Sequence, residues 1–200
     1  MASSVDPLIV GRVIGDVVDM FVPTVNISVN YGSKHVNNGC DIKPSMSADT
    51  PKVTISGRPD QLYTLVMTDP DAPSPSEPSM REWVHWIVVD IPGGTNVSRV
   101  NGSPPAYSAP HAVEGPARVV GPLLPPPGRE ILPYMGPRPP VGIHRYILVL
   151  FQQRAPLGLV DQPTSRANFN TRHFAAHFGL SLPVATVYFN SQKEPANRRR

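Results

Sequence analysis

A single cysteine, Cys40, stands in the 200 residues, which excludes an internal disulfide and a metal site built from several thiolates and points to a reducing compartment. No apolar run approaches the roughly 20 residues of a membrane-spanning helix, and the opening MASSVDPLIV lacks the basic region of a secretory signal. The expectation is a soluble intracellular protein without a transmembrane segment. Charge of one sign is also scarce. The net charge is +3, and Arg198, Arg199 and Arg200 alone account for that excess, so no general nucleic-acid surface follows. Motifs for the commonest hydrolytic chemistries are missing too, with neither a GxSxG nucleophile turn nor an HExxH metal pair.

Proline is what the chain has in excess, with 26 residues against a usual share of about 5%. Proline is kept out of helix interiors and central strands, so the reading is a mainly β fold of short strands and stiff connections. A hydrophobic content of 40% over this length supports one core and a single domain spanning 1–200. Leu62 to Thr68 and Trp83 to Val89 are apolar runs of strand length. Between them, Asp69 to Pro75 places two carboxylates and three prolines in seven residues, a polar turn with little freedom to move.

Other segments fall around this unit. Asp6-Pro7 and the apolar spacing through Phe21 predict one N-capped helix that stops at Pro23. Val25 to Tyr31 alternates as a half-exposed strand; Cys40 to Pro44 and Pro51 to Ser56 read as short strands. Residues 128–140 read as a proline-stiffened connection leading to a strand from Tyr146 to Phe151. Asn170 predicts a capped helix to about Phe178 with Gly179 as its stop, and Val184 to Phe189 a last strand. Residues 100–127, with eight prolines in twenty-eight positions, read as a disordered insertion.

The residues able to carry chemistry are Asp69, Asp71, His85 and His144, with Arg145 and Tyr146 beside them. They leave three classes open. One is a metal site, for which the spacing is scattered; one is acid and base hydrolysis, which lacks a nucleophile motif. The third is a pocket in which histidines and main-chain amides hold an anion while the aspartates fix histidine orientation.

DPDAPS at 69–74, REWVHW at 81–86 and GPRPPVGIHRY at 136–146 together resemble the phosphatidylethanolamine-binding protein family (PEBP). VDPLIVGRVIGDVVDMF, SRANFNTR and QKEPANRRR resemble, within its plant branch, the Mother-of-FT-and-TFL-like (MFT-like) members. The resemblance implies a PEBP-like β-sandwich with a few peripheral short helices and a small pocket for a phosphate-like anion or a phospholipid head group. Matched by motif, Asp69, Asp71, His85, Gly136, Pro137 and His144 are the implied pocket residues, with no catalytic residue, metal or cofactor.

Trp83 occupies the pocket-mouth position where the florigen and terminal-flower branches carry Tyr or His, and tryptophan there marks the third branch. Florigen-like relatives recruit 14-3-3 proteins and through them bZIP transcription factors. Of that surface this chain keeps Pro92, but has Asp60 and Pro156 where arginines stand and Arg99 where a phenylalanine stands. Reversed charge at Asp60 weakens attraction to an acidic partner. The implied protein is a monomeric, non-catalytic developmental regulator of the seed germination, hormone response or flowering type. It would work in cytoplasm and nucleus, with a bZIP factor as partner directly or through 14-3-3, and without direct nucleic-acid contact. The alternative is a hydrolase or metal-dependent enzyme using the Asp and His cluster.

Overall fold

A computed structural model describes residues 6–97 and 128–195; the proline-rich 100–127 stretch and Arg99 lie outside the described residues. The chain folds as a mainly β sandwich. Strands β1 (Ile27–Tyr31), β2 (Lys34–His35) and β4 (Lys52–Ile55) form a small sheet in the order β2-β1-β4. The larger sheet has the order β3-β9-β8-β5-β6-β7, from β3 (Cys40–Asp41), β9 (Ala185–Gln192), β8 (Ile143–Gln153), β5 (Leu62–Asp69), β6 (Trp83–Pro92) and β7 (Arg129–Leu132). All its pairings are antiparallel except that of the edge strand β3 with β9.

The large sheet is covered on both faces, which is why β5 and β8 read as unbroken apolar runs rather than as alternating strands. One face, with Tyr63, Leu65, Met67, Tyr146, Leu148 and Leu150, packs on Val29, Tyr31, Val53 and Ile55 of the small sheet. The other, with Val66, Ile87, Ile147 and Val149, packs on Leu8, Val13 and Val17 of the N-terminal segment and on Phe174 of helix α3 (Thr171–His177). Asn170 caps α3 through Oδ1, which accepts from His173 N at 2.8 Å, and Gly179 follows it at φ +62°. Both features match the expected cap and stop.

The N-terminal expectation needs correction. Asp6 does cap, its Oδ1 accepting from Leu8 N at 2.8 Å, but the single helix is two short turns, α1 (Pro7–Val10) and α2 (Val13–Asp16). Arg12 is left-handed, Gly15 sits at φ +109°, and Ile14 leaves helical geometry. Two glycines and a run of β-branched residues make a continuous helix a weak local preference. Tertiary contact then decides, because a Cβ on Gly11 would fall 2.3 Å from the Tyr188 hydroxyl oxygen. The connection expected at 128–140 also holds a strand, β7, whose Glu130 accepts from the indole of Trp86 at 2.8 Å. Among the described residues no helix is long and apolar enough to cross a membrane.

Candidate ligand-binding site

Strands β5, β6 and β8 end together, and their ends bring the predicted side chains to one place. Asp69 closes β5, Trp83 and His85 open β6, and His144 and Tyr146 open β8. Residues 135–140 run across the opening. Together they line a cavity of about 260 Å³ whose wall includes Asp69, Trp83, His85, Gly136, Arg138, His144 and Tyr146. Gly136 is there for space: a Cβ would stand 2.7 Å from the Ser47 carbonyl oxygen, so any side chain would push this wall away from the 47–48 turn. Pro137 is buried within the same wall without lining the cavity.

Two carboxylates do different work. Asp69 is 2% exposed; one oxygen accepts from the main-chain N of Asp71 at 2.7 Å and the other from His144 Nδ1 at 2.7 Å. His144 Nε2 lies 2.9 Å from the Val141 carbonyl, so both ring nitrogens face acceptors and the ring is an imidazolium. Burial alone would lower the His144 pKa; the bond to Asp69, with Asp71 and the Val141 carbonyl in support, holds it above its ordinary value. Asp71 turns away from the cavity. It takes a bidentate contact from Arg145, Nε at 2.9 Å and a terminal nitrogen at 2.7 Å, plus the Arg145 main-chain N at 2.9 Å. Arg145 also reaches Asp16 at 3.0 Å and the Gly11 carbonyl at 2.7 Å, which ties the N-terminal turns to the site. Against the burial that would raise it, Arg145 keeps the Asp71 pKa below the ordinary carboxylate value.

His85 is held by a reciprocal pair of bonds. Met135 N donates to the His85 carbonyl at 2.9 Å, and His85 Nδ1 lies 2.7 Å from the Met135 carbonyl. A carbonyl only accepts, so Nδ1 carries the proton. Burial brings the His85 pKa down to about 4, leaving the ring neutral at physiological pH. Among the described residues its Nε2 has no hydrogen-bond partner. Among the described residues the buried side-chain nitrogen and oxygen atoms without a partner are Thr186 Oγ1 and Ser191 Oγ, so His85 Nε2 is reached from the cavity. Tyr146 packs edge-on to His85, centroids 5.1 Å apart, and near-parallel to His144.

Sequence reasoning named Asp69, Asp71, His85, Gly136, Pro137, His144 and Trp83, and missed two residues that matter here. Arg138 stands exposed on the cavity wall, and among the described residues its guanidinium has no hydrogen bond or ion pair. Its place between prolines in GPRPP was the available signal. Arg166 clamps the wall from outside, donating to the His85 carbonyl at 2.8 Å and to the Pro133 carbonyl at 2.7 Å. Nothing in SRANFNTR distinguishes that role from a surface arginine. Among the described residues no three His, Cys, Asp or Glu side chains converge as metal ligands. On the opposite side of the sheet ends, Asp60 and Pro156 line a separate cavity, and Asp60 is paired with Arg58 at 2.6 Å.

The sequence model of phosphatidylethanolamine-binding proteins matches residues 24–189, most of the chain. The chain belongs to the phosphatidylethanolamine-binding protein family. Within it, the chain is 53% identical over its full length to the Protein MOTHER of FT and TFL1 homolog 2 of Oryza sativa subsp. japonica, of which it covers 100%. It is 45% identical to the Protein BROTHER of FT and TFL 1 of Arabidopsis thaliana, with 100% of this chain and 98% of that protein covered. The fold of the family is seen in a phosphatidylethanolamine-binding protein from Plasmodium vivax, TM-score 0.68 at 22% identity, covering 94% of this chain and 96% of that one.

Proposed function

We propose that this member of the family is a non-catalytic regulator of plant development, of the seed germination, hormone response or flowering type, that holds a phosphate-like anion or phospholipid head group and acts through protein partners. The observation that carries the binding part is the Arg138 guanidinium, without a partner among the described residues, at a cavity whose inner carboxylates are already engaged. A cation left unpaired beside a concave, partly apolar site is the complement of a small anion. The Trp83 indole N–H also has no partner among the described residues and adds a neutral donor at the same cavity. The regulatory part rests on similarity to the plant relatives named above. The partner in this reading is a bZIP factor, met directly or through 14-3-3, in cytoplasm and nucleus.

The chemistry of the site supports binding over turnover. An enzyme using Asp69, Asp71, His85 and His144 would need a free base and acid at the reacting atom. Asp71 is occupied by Arg145 and both nitrogens of His144 by the protein, which leaves His85 Nε2 as a weak base with no free acid among these residues to work with it. The test is a titration of the ¹⁵N-labelled chain with inorganic phosphate. Shifts centred on His85, Trp83 and residues 135–140 are expected; no shift in that set at tens of millimolar phosphate would remove the anion reading.

A further inference from the structure

Helix α3 buries Thr171, Phe174 and Ala175 and leaves His173 and His177 exposed. A spacing of four along a helix places two side chains on one face, one turn above the other. The two rings lie 24° from parallel with centroids 6.5 Å apart, and among the described residues neither ring has a hydrogen bond or an ion pair. The platform beneath them is fixed. Asn170 caps the helix on the His173 N–H, Thr171 donates to the buried Glu82 carboxylate, and Phe174 packs against both Phe169 and Phe178. Phe178 in turn meets the His177 ring edge-on, centroids 4.8 Å apart. The pair lines a cavity of about 510 Å³ between α3 and the loop before it, and Asp161 stands on the same wall.

We propose that His173 and His177 chelate a divalent transition-metal ion of the Zn²⁺, Ni²⁺ or Cu²⁺ class, at a site that shares no residue with the anion cavity and does not depend on that reading. Imidazole nitrogen suits these ions, and two histidines four apart on one helix face form a bidentate arrangement for them. Each ring keeps its proton on one nitrogen and offers the lone pair of the other. An ion about 2.0–2.1 Å from one nitrogen of each ring draws the rings slightly closer together, a small rotation for exposed side chains. The remaining coordination positions go to water, because among the described residues no third histidine, cysteine, aspartate or glutamate converges with the pair.

The surroundings favour a cation. Asp161 contributes its charge at longer range rather than a bond, and the adjacent Arg172 is engaged elsewhere, by Asp19 at 2.9 Å and by the Gly15 and Val18 carbonyls. The second imidazole is what makes this a site. Once one ring holds the ion the other meets it at high local concentration, so the pair should bind roughly tenfold or more tightly than either histidine alone. Mg²⁺ and Ca²⁺, which take oxygen ligands, gain nothing from it.

The experiment titrates the full-length, chelator-treated chain with Zn²⁺ at pH 7.5, by calorimetry and by ¹⁵N spectra of the histidine rings. One ion per chain is expected, with the shifts centred on the His173 and His177 rings and no response to Mg²⁺. His173→Ala and His177→Ala, each placing a good helix former at an exposed position, should each weaken Zn²⁺ binding roughly tenfold or more. His35→Ala, which removes an exposed histidine on β2, should leave the Kd within about twofold, as expected of a separate site. Should either α3 variant lose its fold, the ring shifts of the wild-type chain decide by themselves. A Kd no tighter than about 1 mM overturns the proposal. So do Zn²⁺ shifts centred on other histidines, and so does a loss seen with only one of the two α3 variants, which would mean a single ligand rather than a chelate.

Discussion

Strands β5, β6 and β8 carry a polar network at each end, and the two networks differ in what they leave over. At the far end Gln153 accepts from Thr64 Oγ1 at 2.8 Å and from Asp90 N at 2.9 Å, and donates to Asp90 Oδ1 at 2.7 Å and to the Ala155 carbonyl at 3.1 Å. Asp90 also accepts from Leu157 N and from Arg129 Nε, each at 2.8 Å, and Arg129 completes itself on the Leu157 and Gly158 carbonyls. Within this network the Gln153 amide and the Asp90 carboxylate are fully answered by the protein. At the site end the Asp69–His144 and Asp71–Arg145 pairs are as complete, but among the described residues His85 Nε2, the Trp83 N–H and the Arg138 guanidinium around the cavity have no protein partner. Buried polarity by itself marks structure; hydrogen-bonding capacity left over around a concavity marks a site.

Breaking the site end at its base gives the largest effect. Asp69→Asn leaves the buried His144 imidazolium without its counter-charge, and losing one partner of a buried pair costs about 3–5 kcal/mol, or roughly 10 °C in Tm for a chain of this size. The pH dependence has a definite sign. The His144 pKa is raised on folding, so its contribution is fully present below about 6.5 and is lost as pH rises through the folded value. The gap between wild type and variant in thermal melts should therefore be widest near pH 6 and shrink towards pH 9. A gap that widens with pH would mean that His144 is neutral in the folded protein.

At the other end, Gln153→Leu strands Asp90 and Thr64 together. About 1–3 kcal/mol of stability should go, from unanswered buried groups, while the affinity for inorganic phosphate stays within about twofold. Melting curves paired with phosphate titration check both halves. Arg138→Gln should do the reverse, changing stability by less than about 0.5 kcal/mol because the side chain is exposed, and weakening phosphate binding roughly tenfold or more through loss of a charge-assisted bond. If Gln153→Leu weakens phosphate as much as Arg138→Gln does, the two ends are coupled and the contrast between them fails.

Much of this was legible before the structure, and the parts that were not share a cause. The strands flanking DPDAPS announced themselves because burial on both faces makes β5 and the inner half of β8 continuous apolar runs. Asp69, His85 and His144 stood out because ionisable residues beside such runs are rare. Their division of labour was hidden: Asp71 reads like a second pocket carboxylate, yet a residue 74 positions away, Arg145, takes it out of the cavity. The broken N-terminal helix was hidden for the same reason, since the contact of Gly11 with Tyr188 is set by tertiary packing. Arg138 and Arg166 look alike in sequence, and only the fold assigns one to the cavity and the other to main-chain carbonyls outside it.

The smallest expected effect is also the sharpest on the meaning of Trp83. This side chain is half-buried, lines the cavity and has no hydrogen-bond partner among the described residues, so its ring and its N–H contribute separately. Trp83→Phe keeps an aromatic face against the cavity and removes the donor. A hydrogen bond from a neutral donor to an anionic oxygen contributes about 1.5 kcal/mol, at the weak end of bonds to charged groups, so phosphate affinity should fall roughly tenfold, with Tm nearly unchanged. Trp83→Tyr restores a donor at a different reach and should recover part of the loss only if a hydroxyl can meet the same oxygen. Equal affinity in all three proteins, measured by calorimetry at pH 6, would assign Trp83 to the shape of the opening alone, and the leftover capacity at this end would reduce to Arg138 and His85.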